Sequence, residues 1–284
     1  PRNASAVLED AAAEIGKQPD AYRKAFHLIS LSLLAQRTAQ APDSPESWLA
    51  DAARIGEKIK NPRITSCAYG FLGEYYEKND RRNDAVKATR KAVFSAHQGY
   101  FPEILYRWQW QLGRLFGKIG DMDRAVASYR NAVATLEPIR TEFFTGFRRP
   151  RDAFGEDIRP VYLGLAELLL ASAETSETSG SFLGQARDTM ELLKKSELEN
   201  FFRDECLIKR KKSGEAGQVP PGTAVIYPIL LPDHLHLLLM LPDGIKQIRV
   251  PADSEQLRAV SKRFRKKSEE MEDDFRDEAM QLYD

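Results

Sequence analysis

Apolar positions along the chain fall mainly at helical spacing and change to strand spacing toward the C-terminal end. Residues 21–39 carry Ala25, Leu28, Ile29 and Leu33, the three- and four-residue steps of one helix face. Ser44-Pro45-Glu46-Ser47 opens a second helix through Trp48, Leu49, Ala52 and Ile55, with Ser44 suited to the N-cap and Pro45 to the first turn. Asn61-Pro62 is expected to end it. The strongest pattern comes next. Leu72, Gly73, Tyr76, Ala85 and Ala92 recur as Leu112, Gly113, Phe116, Ala125 and Ala132, each displaced by 40 positions. Between the aromatic residue and the following Ala lies a turn signal, Asn79-Asp80 in one copy and Gly120-Asp121 in the other. The spacing predicts two helical hairpins. Gly and Ala permit close backbone approach where the helices cross, and the aromatic ring fills the space near the turn. Thr89 stands where the second copy has Tyr129, so looser packing is expected in the first hairpin. One hairpin cannot bury its apolar face alone, so copies stack.

A third hairpin is expected from 161 to about 170 and from 182 to about 207, with the polar stretch 173–180 as its loop; Leu163-Gly164 echoes Leu72-Gly73. The composition changes at Lys209-Arg210-Lys211-Lys212, and a Gly/Pro-containing segment follows to Thr223. Residues 224–231 and 235–241 are apolar runs joined by Pro232-Asp233-His234. Pro242-Asp243-Gly244 leads into 245–250, which alternates apolar and polar. This is the pattern of a three-stranded antiparallel meander. Its first two strands are apolar on both faces, so both need cover, from the helical repeats or from a further domain. A last helix is expected from about Asp253, with Leu257, Val260, Phe264, Met271, Phe275 and Leu282 as its stripe. The fold class is therefore mainly α: a helical-hairpin array over 1–210, a linker at 211–223, and a small α/β piece over 224–284.

The hairpin pattern resembles the tetratricopeptide repeat, with a period longer than the usual one of about 34. Three further stretches narrow the resemblance: Glu197-Leu198-Glu199-Asn200-Phe201-Phe202-Arg203-Asp204-Glu205-Cys206, Ala224-Val225-Ile226-Tyr227-Pro228-Ile229-Leu230-Leu231-Pro232-Asp233, and Gln281-Leu282-Tyr283-Asp284. Following such repeats, they resemble the CHAT family, the bacterial caspase-like domain associated with tetratricopeptide repeats. The resemblance implies a cysteine protease of the caspase–separase clan, in which a strand-end thiolate attacks the peptide carbonyl and a His manages the proton. In that family the His and Cys lie downstream of the Leu-Tyr-Asp motif, so no catalytic residue is carried onto this chain. What is implied is the regulatory, protein-binding N-terminal region of such an enzyme, whose substrates are proteins. A non-enzymatic scaffold is the alternative. Pro1 without a Met, and Asp284 inside a helical pattern with no stop signal, lead to the expectation of a fragment.

Composition restricts the chemistry. The 284 residues hold 42 basic and 42 acidic side chains, and this balance argues against nucleic-acid binding through bulk charge and against a polybasic membrane anchor. No apolar run approaches the roughly 18 residues of a membrane-spanning helix. Two cysteines, Cys67 and Cys206, exclude a disulfide scaffold and fit a reducing, cytoplasmic compartment. Both read as buried small residues rather than nucleophiles. His234 and His236 read as turn and sheet packing, and His27 and His97 as helix packing. No set of ligands has metal spacing, and no cofactor is implied. Residues 140–151 interleave Phe143, Phe144 and Phe147 with Arg148, Arg149 and Arg151, read as a packed connector in preference to a nucleic-acid site. The run Lys262-Arg263-x-Arg265-Lys266-Lys267 is offset by Glu269, Glu270, Glu272, Asp273 and Asp274, as on a solvated helix.

The candidate binding face lies on the first helices of the hairpins, expected to line the concave side of the array. Arg107, Trp110, Arg114 and Lys118 share one stripe, and Glu74 and Lys78 take the equivalent places in the preceding copy. One Trp among cations suits an acidic or carboxylate-bearing peptide. The alternative is that Trp110 packs on the neighbouring hairpin and the cations are merely solvated.

Overall fold

Chain reversals at 20-residue intervals set the frame of the helical repeats. Lys60, Asp80, Tyr100 and Gly120 all take left-handed backbone angles, with φ of 53°, 55°, 55° and 84°. At each reversal the next residue's N–H reaches back to a carbonyl five positions earlier: Asn61 to Gly56 at 2.9 Å, Arg81 to Tyr76 at 2.9 Å, Phe101 to Ala96 at 3.0 Å and Asp121 to Phe116 at 3.0 Å. These bonds satisfy the last carbonyls of each helix. The computed structural model describes residues 4–37, 45–140, 154–176, 178–202, 219–269 and 276–283.

Two compact units divide the chain, Pro1–Val161 and Tyr162–Asp284. The first contains α1 (Ala4–Gly16), α2 (Tyr22–Ala35), α3 (Pro45–Lys58), α4 (Pro62–Lys78), α5 (Arg82–Gln98), α6 (Pro102–Ile119) and α7 (Met122–Leu136). Helices adjacent in sequence pack together, and α4 also touches α2 and α6. The array of helical hairpins is thus present, with α4–α5 and α6–α7 as the two copies read from the sequence. Helix α1 was not anticipated. Asn61 closes α3 through its N–H and also caps α4, its side chain accepting the Ile64 N–H at 3.0 Å, with Pro62 at the first turn. Pro102 occupies the same place in α6, 40 residues on. Ser44 lies outside the described residues.

Close approach at the crossings is real. A Cβ on Gly113 would enter the Tyr129 ring, and one on Gly70 the Trp108 indole. The expectation of looser packing in the first hairpin is corrected. A Cβ on Gly73 would overlap Thr89 Oγ1 and sit 2.5 Å from Gln111 Nε2. The space that Tyr129 fills in one copy is filled in the other by Thr89 together with a side chain from the next hairpin. Gln111 Nε2 donates to Thr89 Oγ1 at 2.7 Å and to the Gly70 carbonyl at 3.2 Å, and both side chains are fully buried.

The second unit joins the helices α8 (Arg159–Thr175, whose first residues fall in the first unit) and α9 (Ser179–Phe202) to a sheet. Its strands are β1 (Val225–Leu230), β2 (His234–Leu241) and β3 (Gly244–Pro251). The third hairpin read from the sequence therefore shares a compact unit with the strands. The order β1-β2-β3 is an antiparallel meander, with Ile229 opposite His236 and His236 opposite Arg249. Alternation puts Tyr227, Ile229, Leu238 and His236 on one face. That face is covered: Ile229 and Leu238 are fully buried, and the Tyr227 hydroxyl donates to Glu191 of α9 at 2.5 Å. The other face carries Ile226, 63% exposed, and Ile248, 50% exposed. Among the described residues, one face of the meander is covered and the other is not.

Within the run expected as a terminal helix the described residues form α10 (Ser254–Glu269) and α11 (Arg276–Tyr283), and 270–275 lie outside the described residues. Asp253 caps α10, accepting the N–H groups of Glu255 at 2.8 Å and Gln256 at 3.1 Å. Met271 and Phe275 of the expected stripe lie outside the described residues.

Candidate partner-binding face

Helices α4 and α6 place the candidate residues side by side. Each starts at a proline and runs about the same length, so their outward stripes stay in register. Arg107 Nε and Nη2 donate to Glu74 Oε1 at 3.3 and 3.1 Å. Arg114 Nη2 donates to Glu77 Oε2 at 3.0 Å, and Lys118 Nζ to Glu77 Oε1 at 2.8 Å. Lys78 Nζ reaches Gln36 Oε1, beyond the end of α2, at 3.4 Å. The six residues named from the sequence thus fall on one surface, tied across helices by a ladder of polar contacts.

Glu77 was missed, although it stands three residues after Glu74 on the same helix face and opposite two cations. Burial pushes its carboxyl up, but Arg114 and Lys118 outweigh that and hold it below the ordinary glutamate value. The sign follows: the stabilisation from Glu77 is present above the unfolded value of about 4.5 and is lost as pH falls through the lower folded one.

Trp110 lies within this ladder. The Arg114 guanidinium sits 4.4 Å over its ring. Its indole N–H is buried and has no hydrogen-bond acceptor among the described residues. Trp108, two residues away, faces inward. It is 1% exposed, and its Nε1 donates to Ser66 Oγ at 3.0 Å. At the turn end of the face, Tyr76 donates to Glu46 at 2.8 Å under the Arg81 guanidinium. Burial, and then Glu46, push its hydroxyl pKa up to about 12.

The cations are therefore not simply solvated, and the carboxylates that hold them are built in. Arg107, Arg114, Lys118 and Lys78 stand against Glu74 and Glu77, so positive charge remains in excess. The Lys118 side chain is half exposed. The carboxylates are not: the side chains of Glu74 and Glu77 are only 20% and 10% exposed, so each is costly to strip of its cation.

The other residues weighed from the sequence fall elsewhere. Cys67 is a free thiol packed against the repeat core, and burial pushes its pKa up, away from a reactive thiolate. Cys206 and the aromatic–arginine stretch from 141 lie outside the described residues. His236 is buried in the sheet, its Nδ1 2.8 Å from Gln247 Nε2, while His234 is bonded by Arg249 at 2.9 Å. Among the described residues no group of His, Cys, Asp or Glu could hold a metal, and no helix is long and apolar enough to cross a membrane.

No family model matches the chain, and no curated protein matches it. Similar solved structures include two TPR-like proteins. One is a putative kinesin light chain with nearly identical TPR-like repeats from Podosopora anserina, at 16% identity over 71% of this chain and 87% of that one, with a TM-score of 0.46. The other is BtubC (BKLC) from P. vanneervenii, at 15% identity over 80% of this chain and 96% of that one, with a TM-score of 0.40. The assignment of a helical-hairpin array stands on the chain's own reversals and crossings.

Proposed function

We propose that the chain is a protein-binding repeat module whose face on α4 and α6 takes a segment bearing acidic side chains. The charge excess around Trp110 carries this reading. Four cations on one surface face two carboxylates, and Lys78 is held by a neutral amide. A ligand carboxylate pairs with the exposed ammonium groups of Lys78 and Lys118 without displacing Glu74 or Glu77. Trp110 supplies a rigid aromatic anchor. Selection from a random peptide display library tests this. Acidic peptides are expected to be enriched, and to bind at least about tenfold more weakly to Lys78→Glu/Lys118→Glu. Enrichment of peptides without acidic residues would overturn it.

A finer reading makes this module the regulatory part of a CHAT-type cysteine protease. It is supported by the motifs at 197–206, 224–233 and 281–284 and by the meander that follows the helices. The protein purified from its source cells would then cleave protein substrates, and alkylation of thiols would abolish cleavage. Hydrolysis absent, or indifferent to alkylation, leaves a scaffold.

A further inference from the structure

A groove of about 760 Å3 lies between α3 and α5, over the start of α4. It shares no residue with the face around Trp110. Phe94 stands at its rim, 68% exposed. Three cations line it. Neither Lys60 nor Arg90 forms an ion pair among the described residues; Arg90 lies 5.6 Å over the Phe116 ring. Lys91 is bonded to a neutral group, its Nζ donating to the Tyr69 hydroxyl at 3.0 Å and lying 4.5 Å over that ring. Tyr69 in turn donates to Glu57 at 2.8 Å, the one carboxylate among the lining residues.

Comparison with the next copy separates what stacking needs from what it does not. Forty residues on, Tyr69, Arg90, Lys91 and Phe94 are matched by Gln109, Arg130, Asn131 and Ala134, and Lys60 by Tyr100. There Gln109 accepts a hydrogen bond from Thr135 at 2.8 Å, an ordinary packing contact. Hairpins of this repeat stack with Ala and Asn at these positions. Phe94 and the two added cations of the first groove, Lys60 and Lys91, are not demanded by the fold.

We propose that the groove between α3 and α5 is a second docking site, which takes an acidic protein segment with one apolar side chain seated on Phe94. Lys60, Arg90 and Lys91 supply charge-assisted hydrogen bonds to carboxylates. Burying Phe94 supplies the apolar contact, and the cations around it form the polar rim typical of an anchored interface. A flexible polyanion without an apolar anchor would use the charge and leave Phe94 exposed.

Fluorescence anisotropy tests this on the full chain carrying Lys78→Glu/Lys118→Glu, which removes the other face from the measurement. The probes are labelled peptides of Asp and Glu with one central Leu, the same peptides with central Ser, and oligo-dT of equal length. The Leu peptide is expected to bind, and to weaken by about tenfold with Phe94→Ser, with Lys60→Glu/Arg90→Glu, or with Ser in place of Leu. Phe94 is exposed, so Phe94→Ser should leave thermal unfolding unchanged. No binding in this background, equal binding of the Leu and Ser peptides, or tighter binding of oligo-dT would overturn the proposal. The face around Trp110 is judged separately, by comparing the wild-type chain with this background.

Discussion

Trp108→Ala is expected to lower the stability of the repeat unit by about 3–5 kcal/mol, the usual range for removing a fully buried large aromatic side chain. Trp108 joins two hairpins rather than filling one. Its ring lies on Gly70, where a Cβ could not fit, and meets Phe71 edge-on at 5.3 Å. Its N–H donates to Ser66, whose hydroxyl donates to the Ala92 carbonyl of α5 at 2.9 Å. The substitution opens a cavity at the junction and leaves the Ser66 oxygen without its donor. In a repeat array each unit is stabilised mainly by its neighbours, so the junction is where cooperativity breaks. Denaturant unfolding followed by circular dichroism should show an earlier and broader transition. A loss below about 1 kcal/mol would mean that Trp108 does not bridge the hairpins.

Two glycines of one helix give the second large effect, with opposite signs. Gly113→Ala puts a methyl group into the Tyr129 ring, so the hairpin must open or the ring must move, at a cost of about 1–3 kcal/mol. Gly117, one turn on in α6, has nothing near the place its Cβ would take. Gly117→Ala is therefore expected to stabilise the unit by up to about 1 kcal/mol, through helix propensity alone. The pair controls for propensity, because both changes are the same in chemistry and in helix. Equal melting shifts for the two variants would contradict the crossing at Gly113.

Much of the first unit was legible because its spacing rule is carried by small residues. Gly73 with Ala85, and Gly113 with Ala125, mark the crossings whatever surrounds them. The reversals at 80 and 120 were read as turns and the one at 60 as a helix end, but the one at 100 was not, nor was their common backbone geometry. The left-handed position usually announces itself as Gly, and here it is Lys60, Asp80 and Tyr100, with glycine only at 120. Packing and the backbone bond across each reversal hold those residues in place against their own preference. Thr89 misled for a related reason: its partner, Gln111, belongs to the next hairpin, and no local pattern foretells a contact 22 residues away. Helix α1 is rich in alanine and lacks a distinct apolar stripe, so periodicity had little to find.

On the candidate face, the charges were read one helix at a time. The cross-helix pairing through Glu74 and Glu77 turns an array of loose cations into a ladder with a smaller positive excess. The uncovered face of the meander is a different matter. Alternation shows that both faces are apolar, and only the fold shows which one α9 covers.

The face on α4 and α6 is tested most directly by the indole N–H signals of the three tryptophans, Trp48, Trp108 and Trp110, in a 15N-labelled sample titrated with an acidic peptide. Trp110 lies beneath an arginine that a carboxylate would draw away and its buried donor has no acceptor among the described residues, while Trp108 is bonded to Ser66 inside the core. Assignment follows from Trp110→Phe. The Trp110 signal is expected to shift on titration while that of Trp108 stays in place. Saturable binding that leaves the Trp110 signal unmoved would contradict the account.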